Sequence, residues 1–425
     1  MNARVIGITA EYNPFHNGHR WQLQTLREEF GNVPVVACMS GWFMQRGEPA
    51  LADPWTRAVM AVHAGVDLVL LLPAWYSLRS ADYFAAGAVK TLSATGIVDL
   101  LACGAECHVA ESSPTGTVCP ASASTLSDAA AWTLQKDTEQ HIKALLQQGL
   151  SYGAAWEAAA IESHIDTGWF TGANNLLALA YQKALLLHHL PIQLVTLPRQ
   201  GSAYNDTQLI PPYASASAIR AALRNGCPSS ALASVLPAES DALLKINENN
   251  YPARFARQEE TLTLLLSDLL ARRNSQDLYE YSSASRDLCD RFHNTRSELQ
   301  QGYNAFCRIL ANKRDPLPSV RRLTLQLLLQ KSRALWTEMP EPAYLRVLAF
   351  NDRGRGLLRS MKETATLPVI TKTGSAEQYR QTGMYPLLQL DAAAADLFQL
   401  LNGNAGLYGT NFTTSPVYVK ETLIK

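Results

Sequence analysis

His16 and His19, with Asn17 and Gly18 between them, are the residues whose types and spacing can do chemistry. Two imidazoles three residues apart at a helix start lie beside backbone N–H groups that have no partner inside the helix, and such a place favours anions. Within hydrogen-bond reach of a phosphoryl group, they can follow the negative charge that builds on it as the bond to its leaving group breaks. Glycine at position 18 is expected because a side chain there would collide with a nucleotide. The plainer readings are a solvated pair or a metal-binding pair. No nucleophilic Ser or Cys is needed for such chemistry, and none is assigned.

The flanking sequence must place that pair. Val5, Ile6, Ile8 and Ala10 form a short apolar run bounded by Asn13-Pro14 and Gly18, which predicts a buried parallel strand ending in a tight loop. From His19 onward, Trp21, Leu23, Leu26 and Phe30 suit one face of a helix, with Asn17 and Gly18 as its cap. Further apolar runs at 33–38, 66–73 and 97–103 alternate with helices predicted from Asp53 or Pro54 to 64 and over 81–94. Four βα repeats in about a hundred residues imply a Rossmann-like, doubly wound parallel sheet of the α/β class, whose ligands bind beyond the carboxyl ends of the strands. His16, Gly41 and Gly104 fall at such ends. The loop from Phe43 to Ala50 mixes aromatic, charged and turn residues, either as part of a site or as a surface crossover.

Residues 110–165 break this rhythm and read as a helical insertion, with helices over 127–150 and 151–160. Asn174-Asn175 precedes a helix at 176–187, and the Asn pair can be a cap and nothing more. A fifth strand at 192–197 ends at Arg199, and the run Ser215 to Arg220 opens a helix whose serines and N–H groups suit an anion. Residues 1–235 are thus expected to form the catalytic domain. Residues 236–425 read as mainly helical, with helices at 259–272, 276–288, 291–310 and 320–335, and a small α/β element of strand, helix and strand between 344 and 371 closing the chain. Leu325, Leu328, Leu329 and Leu335 mark a buried helix face, with Arg321, Arg322 and Arg333 mostly off it.

The chain of 425 residues has no net charge, but its charge is uneven. Residues 1–240 carry 13 Lys and Arg against 18 Asp and Glu, whereas residues 241–425 carry 24 against 19. Between 308 and 359 the count is 11 basic residues to four acidic, which attracts polyanions unless the arginines merely solvate a helix face. Seven cysteines with no CxxC pair suggest neither a disulfide framework nor a zinc ribbon, and Cys103 and Cys107 read as packing residues. No metal ligands are assigned. The absence of a signal-like start or a long apolar run makes a cytoplasmic location, away from membranes, the expectation.

The HNGH turn between strand and helix is similar to the HxGH signature of the HIGH-type nucleotidyltransferase superfamily, which shares its nucleotide-binding fold with class I aminoacyl-tRNA synthetases. Over most of the chain, and in order, EYNPFHNGH (11–19), MSGWFMQRGEPA (39–50), VDLVLLLP (66–73), the 104–106 segment, ANNLLALAY (173–181), SASAIR (215–220), YLRVLAFNDRGRGLLRSMK (344–362) and LPVITK (367–372) resemble the bacterial tRNA(Met) cytidine acetate ligase family. Members of that family use ATP to activate acetate as acetyl-adenylate and then acetylate N4 of the wobble cytidine of elongator tRNA(Met). The resemblance implies that Thr9, Ala10, Glu11, Tyr12, Asn13, Pro14, Phe15, His16, Asn17, Gly18, His19, Arg20, Trp21 and Gln22 line the ATP. Gly104, Asn174, Arg199 and Gln200 complete that site, His16 and His19 act catalytically, and Mg2+ accompanies the ATP. Arg321, Arg322, Arg353 and Arg355 are the expected tRNA contacts. The chain departs from the family at Leu72, where members commonly carry Glu, at Cys103 and Ala105 around Gly104, and at Lys313-Arg314.

A small-molecule adenylyltransferase acting on a phosphorylated cofactor precursor would explain HNGH and SASAIR equally well, but leaves roughly 190 C-terminal residues without a task. An aminoacyl-tRNA synthetase would need a lysine loop of the KMSKS kind after the fold. A nucleotide sensor with a degraded site is opposed by the intact histidines.

Overall fold

Uninterrupted aliphatic runs form strands where both faces of a sheet are covered. The first four are β1 (Ile6–Ala10), β2 (Val35–Ser40), β3 (Leu68–Leu72) and β4 (Leu100–Ala105), and every residue of β2 and β3 is buried. β5 (Cys119–Pro120), β6 (Gln193–Pro198), β7 (Leu345–Phe350), β8 (Val369–Ile370) and β9 (Val417–Tyr418) follow. In the computed structural model, which describes residues 5–106, 119–120, 125–199, 208–247, 250–338, 340–372, 374 and 376–420, these strands make one nine-stranded sheet. Its order is β5-β6-β4-β1-β2-β3-β7-β8, with β9 also on β7.

β6, β4, β1, β2 and β3 run parallel, while β5 and β7 are antiparallel to β6 and β3. The chain winds outward from β1 through β2 to β3, then returns to the other side of β1 for β4 and β6. That reversal leaves a crevice at the carboxyl ends of β1 and β4, where an open α/β sheet binds its ligand.

The C-terminal α/β element does not stand apart. β7 pairs along β3, with Leu68 opposite Phe350 and Leu70 opposite Val347, so residues 345–418 extend the sheet that begins with β1. The helix Asp352–Thr364 that follows β7 packs closely, because a Cβ on Gly354 would lie 2.0 Å from the carbonyl oxygen of Asp67. The residues after β3 are enclosed by the helical region: Asp391 Oδ1 accepts the Ala74 N–H at 2.7 Å, and Gln326 Nε2 donates to the Leu78 carbonyl at 3.0 Å. A single buried apolar core therefore draws on both halves of the chain.

Several expected helices are shorter than their apolar period suggests. The insertion forms Thr125–Thr133, Lys136–Gln147 and Tyr152–Glu162; its residues 110–118 and 121–124, and Cys107 just before it, lie outside the described residues. The predicted helices at 276–288 and 291–310 are Ser275–Glu280, Arg286–Asn294, a 3-10 turn and Tyr303–Leu310. Ser285, whose hydroxyl accepts the Leu288 N–H at 3.2 Å, and Gly302, at φ 91°, interrupt them. The helix expected over 320–335 is Leu317–Leu329, stopped by Gln330 at φ 49°, followed by Arg333–Thr337. Among the described residues no helix is long and apolar enough to cross a membrane.

Candidate functional site

β1 delivers the chain to Glu11–Phe15, and this loop is pinned from several sides. Tyr12 holds φ at 44°, a conformation a non-glycine residue keeps only when its surroundings require it; its buried ring packs against Phe15 at 4.8 Å and His19 at 4.9 Å between centroids. Asn13 Oδ1 accepts the Leu51 N–H at 2.7 Å, and Arg220 Nη1 donates to the Asn13 carbonyl at 2.7 Å. Arg57, fully buried, donates to the carbonyls of Glu11 at 2.6 Å, Ser40 at 2.9 Å and Ala52 at 3.0 Å, and so staples the ends of β1 and β2 together. Burial lowers its pKa to about 10, which leaves the guanidinium charged.

The helix Asn17–Phe30 starts with a reciprocal capping box built from the two histidines. Gly18 N–H donates to His16 Nδ1 at 3.1 Å, His16 N–H donates to His19 Nδ1 at 3.2 Å, and the rings stack with centroids 3.8 Å apart. An Nδ1 that accepts leaves the proton of a neutral imidazole on Nε2, so each ring keeps an N–H donor for a ligand. Burial, aided by Arg199 and Arg220, pushes His16 down to about 3, and burial, His16 and Arg199 hold His19 well below the ordinary value. Both rings are neutral near pH 7. Glycine is required at 18 for a reason closer than a nucleotide: a Cβ there would stand 2.9 Å from His16 Cε1.

A cleft of about 230 Å3 opens in front of these rings. Of the residues expected there, Thr9, Ala10, Glu11, Tyr12, Asn13, His16, Gly18, His19, Trp21, Gln22, Gly104, Asn174 and Arg199 line it. Pro14 and Phe15 are buried behind it, and Arg20 is exposed. Asn17 instead donates to the carbonyls of Pro212 at 3.1 Å and Ser234 at 3.2 Å, which anchors the helix start. Gln200 lies outside the described residues. The Asn pair is not a cap, since Asn174 and Asn175 bond to Glu106 and Arg199 and to Gly168.

The cleft is also lined by Tyr181 and Tyr213, which the sequence does not single out, by Gln45 and Arg46 of the mixed loop, and by Ser215, Ser217 and Arg220 of the run that suits an anion. Tyr181 follows Asn174 by two helical turns. The helix Ala216–Arg224 adds a second N-terminus to the cleft, capped by Ser215 Oγ, which accepts the Ala218 N–H at 3.0 Å. Glu11 is the one carboxylate among the described lining residues. It accepts the Gln45 N–H at 2.7 Å and is pushed up by burial, against the pull of that bond and of Arg220, Arg57 and Arg46.

The arginines expected to meet RNA all have partners within the protein, Arg321 and Arg322 largely enclosed and Arg355 at the surface. Arg321 pairs with Glu48 and donates to Asn304 Oδ1 at 3.3 Å, and Arg322 donates to the Gln45 carbonyl at 2.9 Å. The backbone between them and the loop is in contact, since a Cβ on Gly47 would lie 2.6 Å from that of Arg321. These two guanidiniums hold the loop that supplies Gln45 and Arg46 to the cleft instead of facing solvent. Arg333 likewise donates to the carbonyls of Ser282 at 2.9 Å and Ala284 at 3.0 Å. Arg353 bonds Asn32 Oδ1 at 2.9 Å, and Arg355 lies over Tyr418 with its guanidinium carbon 4.4 Å from the ring centre. Asn32 precedes β2, so this pair sits at the amino-end edge of the parallel strands, opposite the cleft. A local count of basic residues does not say which way they point.

A doubly wound sheet, a crevice at its reversal point and a helix start furnished with two neutral imidazoles define a nucleotide-handling protein, and the chain belongs to the HIGH Nucleotidyl Transferase family, whose model matches residues 3–408. It is 33% identical to the tRNA(Met) cytidine acetate ligase of Alkaliphilus metalliredigens over 98% of this chain and 99% of the relative, and 32% identical to that of Syntrophomonas wolfei over 97% and 99%. Its fold is similar to that of Thermotoga maritima TmcAL in an apo form, with a TM-score of 0.84 and 27% identity over 98% of this chain and all of that one. The same Thermotoga protein bound with alpha-thio ATP gives a TM-score of 0.83 at 26% identity, over the same shares of both chains.

Proposed function

We propose that the chain is an ATP-dependent ligase that activates acetate as acetyl-adenylate and transfers the acetyl group to N4 of the wobble cytidine of elongator tRNA(Met). The observation that carries this reading is the capping box, which ties both Nδ1 atoms to backbone and leaves an Nε2–H on each of two rings that line a cleft between two helix N-termini. Kinship over nearly the whole chain with proteins named for this activity supports the choice of substrates.

Acetate is a poor acyl donor because its leaving group would be oxide. Attack of a carboxylate oxygen on the α-phosphorus forms one P–O bond as the bond to the β-phosphate breaks, with diphosphate leaving. The transition state needs charge stabilisation and alignment more than covalent help. His16 and His19 donate from Nε2, and the start of the helix Ala216–Arg224, whose Ala216 and Ser217 line the cleft, favours negative charge on the same side. In the second step the cytidine amine attacks the acetyl carbonyl carbon, AMP leaves and the nitrogen loses a proton. Mg2+ would be held mainly by the phosphates, because among the described residues no cluster of three His, Cys, Asp or Glu can hold a metal. Bound there, it would neutralise phosphate charge.

Acetate-dependent exchange of diphosphate into ATP tests the first step, and mass spectrometry of nucleosides from tRNA incubated with the protein, ATP and acetate tests the second. Exchange without acetate, but with a phosphorylated cofactor precursor, would favour the small-molecule adenylyltransferase instead.

A further inference from the structure

Asn174 and Arg199 meet at the cleft, yet their arrangement is set from outside it. The helix Ala173–Leu187 begins at Gly172, which has no side chain to cap it and holds φ at 78°. A Cβ at that position would stand 1.7 Å from Glu106 Oε2. The Glu106 carboxylate therefore lies against the helix start, where unpaired N–H groups favour negative charge. Its other oxygen, Oε1, accepts Asn174 Nδ2 at 2.6 Å, and Asn174 Oδ1 accepts Arg199 Nη1 at 2.8 Å. Glu106 is itself held, its N–H donating to Asn175 Oδ1 at 2.8 Å while Asn175 Nδ2 donates to the Gly168 carbonyl at 3.0 Å.

This chain of contacts has a direction. An amide offers one donor end and one acceptor end, whereas a carboxylate only accepts and a guanidinium only donates. Glu106 takes the NH2 end of Asn174, which turns the carbonyl end to Arg199; with the amide reversed, both contacts would set like against like. Arg199 is then laid over Gly104, where a Cβ would come 3.2 Å from its Cγ. Glu106 does not line the cleft, whereas Gly104, Asn174 and Arg199 do.

We infer that Glu106 is a positioning residue for nucleotide binding: it fixes the amide of Asn174 and, through it, the guanidinium of Arg199. The inference rests on the ATP-dependent reaction proposed above. Calorimetric titration with ATP alone, followed by acetate-dependent exchange, tests it in Glu106→Ala, Glu106→Gln, Arg199→Ala and the double variant Glu106→Ala/Arg199→Ala.

Glu106→Ala should weaken ATP binding and raise KM for ATP about tenfold with kcat within about twofold, because a ground-state contact is lost and the reacting atoms are untouched. Glu106→Gln, whose carbonyl can accept the same Nδ2 donor, should restore affinity to within about threefold. In the Arg199→Ala background the Glu106→Ala change should cost little more, the signature of two residues acting in series. Wild-type affinity in Glu106→Ala, full additivity with Arg199→Ala, or a failure of Gln to rescue would each overturn the inference. If the unaltered chain binds no ATP, the ATP reading itself fails, and that result is separate from any of the variants.

Discussion

Two helix starts bear the polar side chains that matter here, and they use them in opposite ways. At the start of Asn17–Phe30 the two histidines are hydrogen-bonded to backbone groups no more than three residues away, so local spacing sets their geometry relative to each other, and both rings line the cleft. Near the start of Leu317–Leu329 the two arginines find their partners in Glu48 and Gln45, 273 and 277 residues away in sequence. Local spacing has no say in such a pairing. The first arrangement is built to receive a ligand; the second holds the wall of the site that receives it.

The sharpest contrast comes from removing each pair. His19→Ala, and more mildly His16→Ala, should lower acetate-dependent exchange by about 10² to 10³, the usual consequence of losing one donor to a developing oxyanion. Circular dichroism should still report a folded chain. Exchange at the unaltered rate in both variants would remove the histidines from the chemistry.

Arg321→Ala should have the next largest effect, and on the step an RNA-contact role would leave alone. Its loss leaves half-buried Glu48 with only the longer Arg220 contact, at 3.6 Å, and loosens the Gln45–Arg46 wall. A fall of about tenfold in exchange and about 2 kcal/mol in unfolding free energy is expected, less than for a fully buried pair because water screens these groups in part. If exchange and stability stay unaltered while only tRNA affinity drops, the comparison between the two helices is wrong.

A pH series separates the same regions by another route, because guanidiniums do not titrate in the window where imidazoles do. The folded chain keeps His16 unprotonated down to about 3 and His19 well below its ordinary value, whereas in the unfolded chain both take up protons near pH 6.5. The unfolded state then binds more protons, so stability falls as pH drops through 6.5 towards the folded values, by about 1 kcal/mol per histidine between pH 6.5 and 5.5. Denaturant unfolding of the unaltered chain and of His19→Asn at those two pH values should show the smaller drop in the variant. Equal drops would mean that His19 is not held neutral.

How far the sequence carried the reading follows the same division. The strand, turn and helix at 6–30 were legible because apolar period, cap and chemistry all sit within one βα unit. The order of the sheet's far edge was not, since the pairing of Leu68–Leu72 with Leu345–Phe350 joins segments more than 270 residues apart and leaves no local pattern in either of them. Ser285 and Gly302 broke helices that an apolar period alone would have continued. Asn174 and Arg199 were placed by resemblance; the carboxylate that orients them follows the glycine at the end of β4 and gives no local sign of its task.

The smallest effect is expected at Arg353 and Arg355, and its smallness is informative. Both lie on the helix that follows β7, with Arg353 bonded to Asn32 before β2 and Arg355 flanked by Tyr418 and Asp352, 3.7 Å from the latter. That places them at the amino-end edge of the parallel strands, while an RNA base must approach the adenylate from the carboxyl-end edge. A cytidine acetylated at N4 has to be unpaired and splayed towards the cleft, so the phosphates next to it lie on the cleft side as well. Arg353→Glu and Arg355→Glu should therefore leave exchange unchanged and shift tRNA affinity by less than about twofold. The slope of log affinity against log salt should also stay within about one unit of the unaltered chain, because few or no phosphate contacts are lost. A large loss of affinity with a clearly shallower salt slope would show that tRNA reaches round the sheet to its far edge, and would return these two arginines to the RNA-binding surface that their composition suggested.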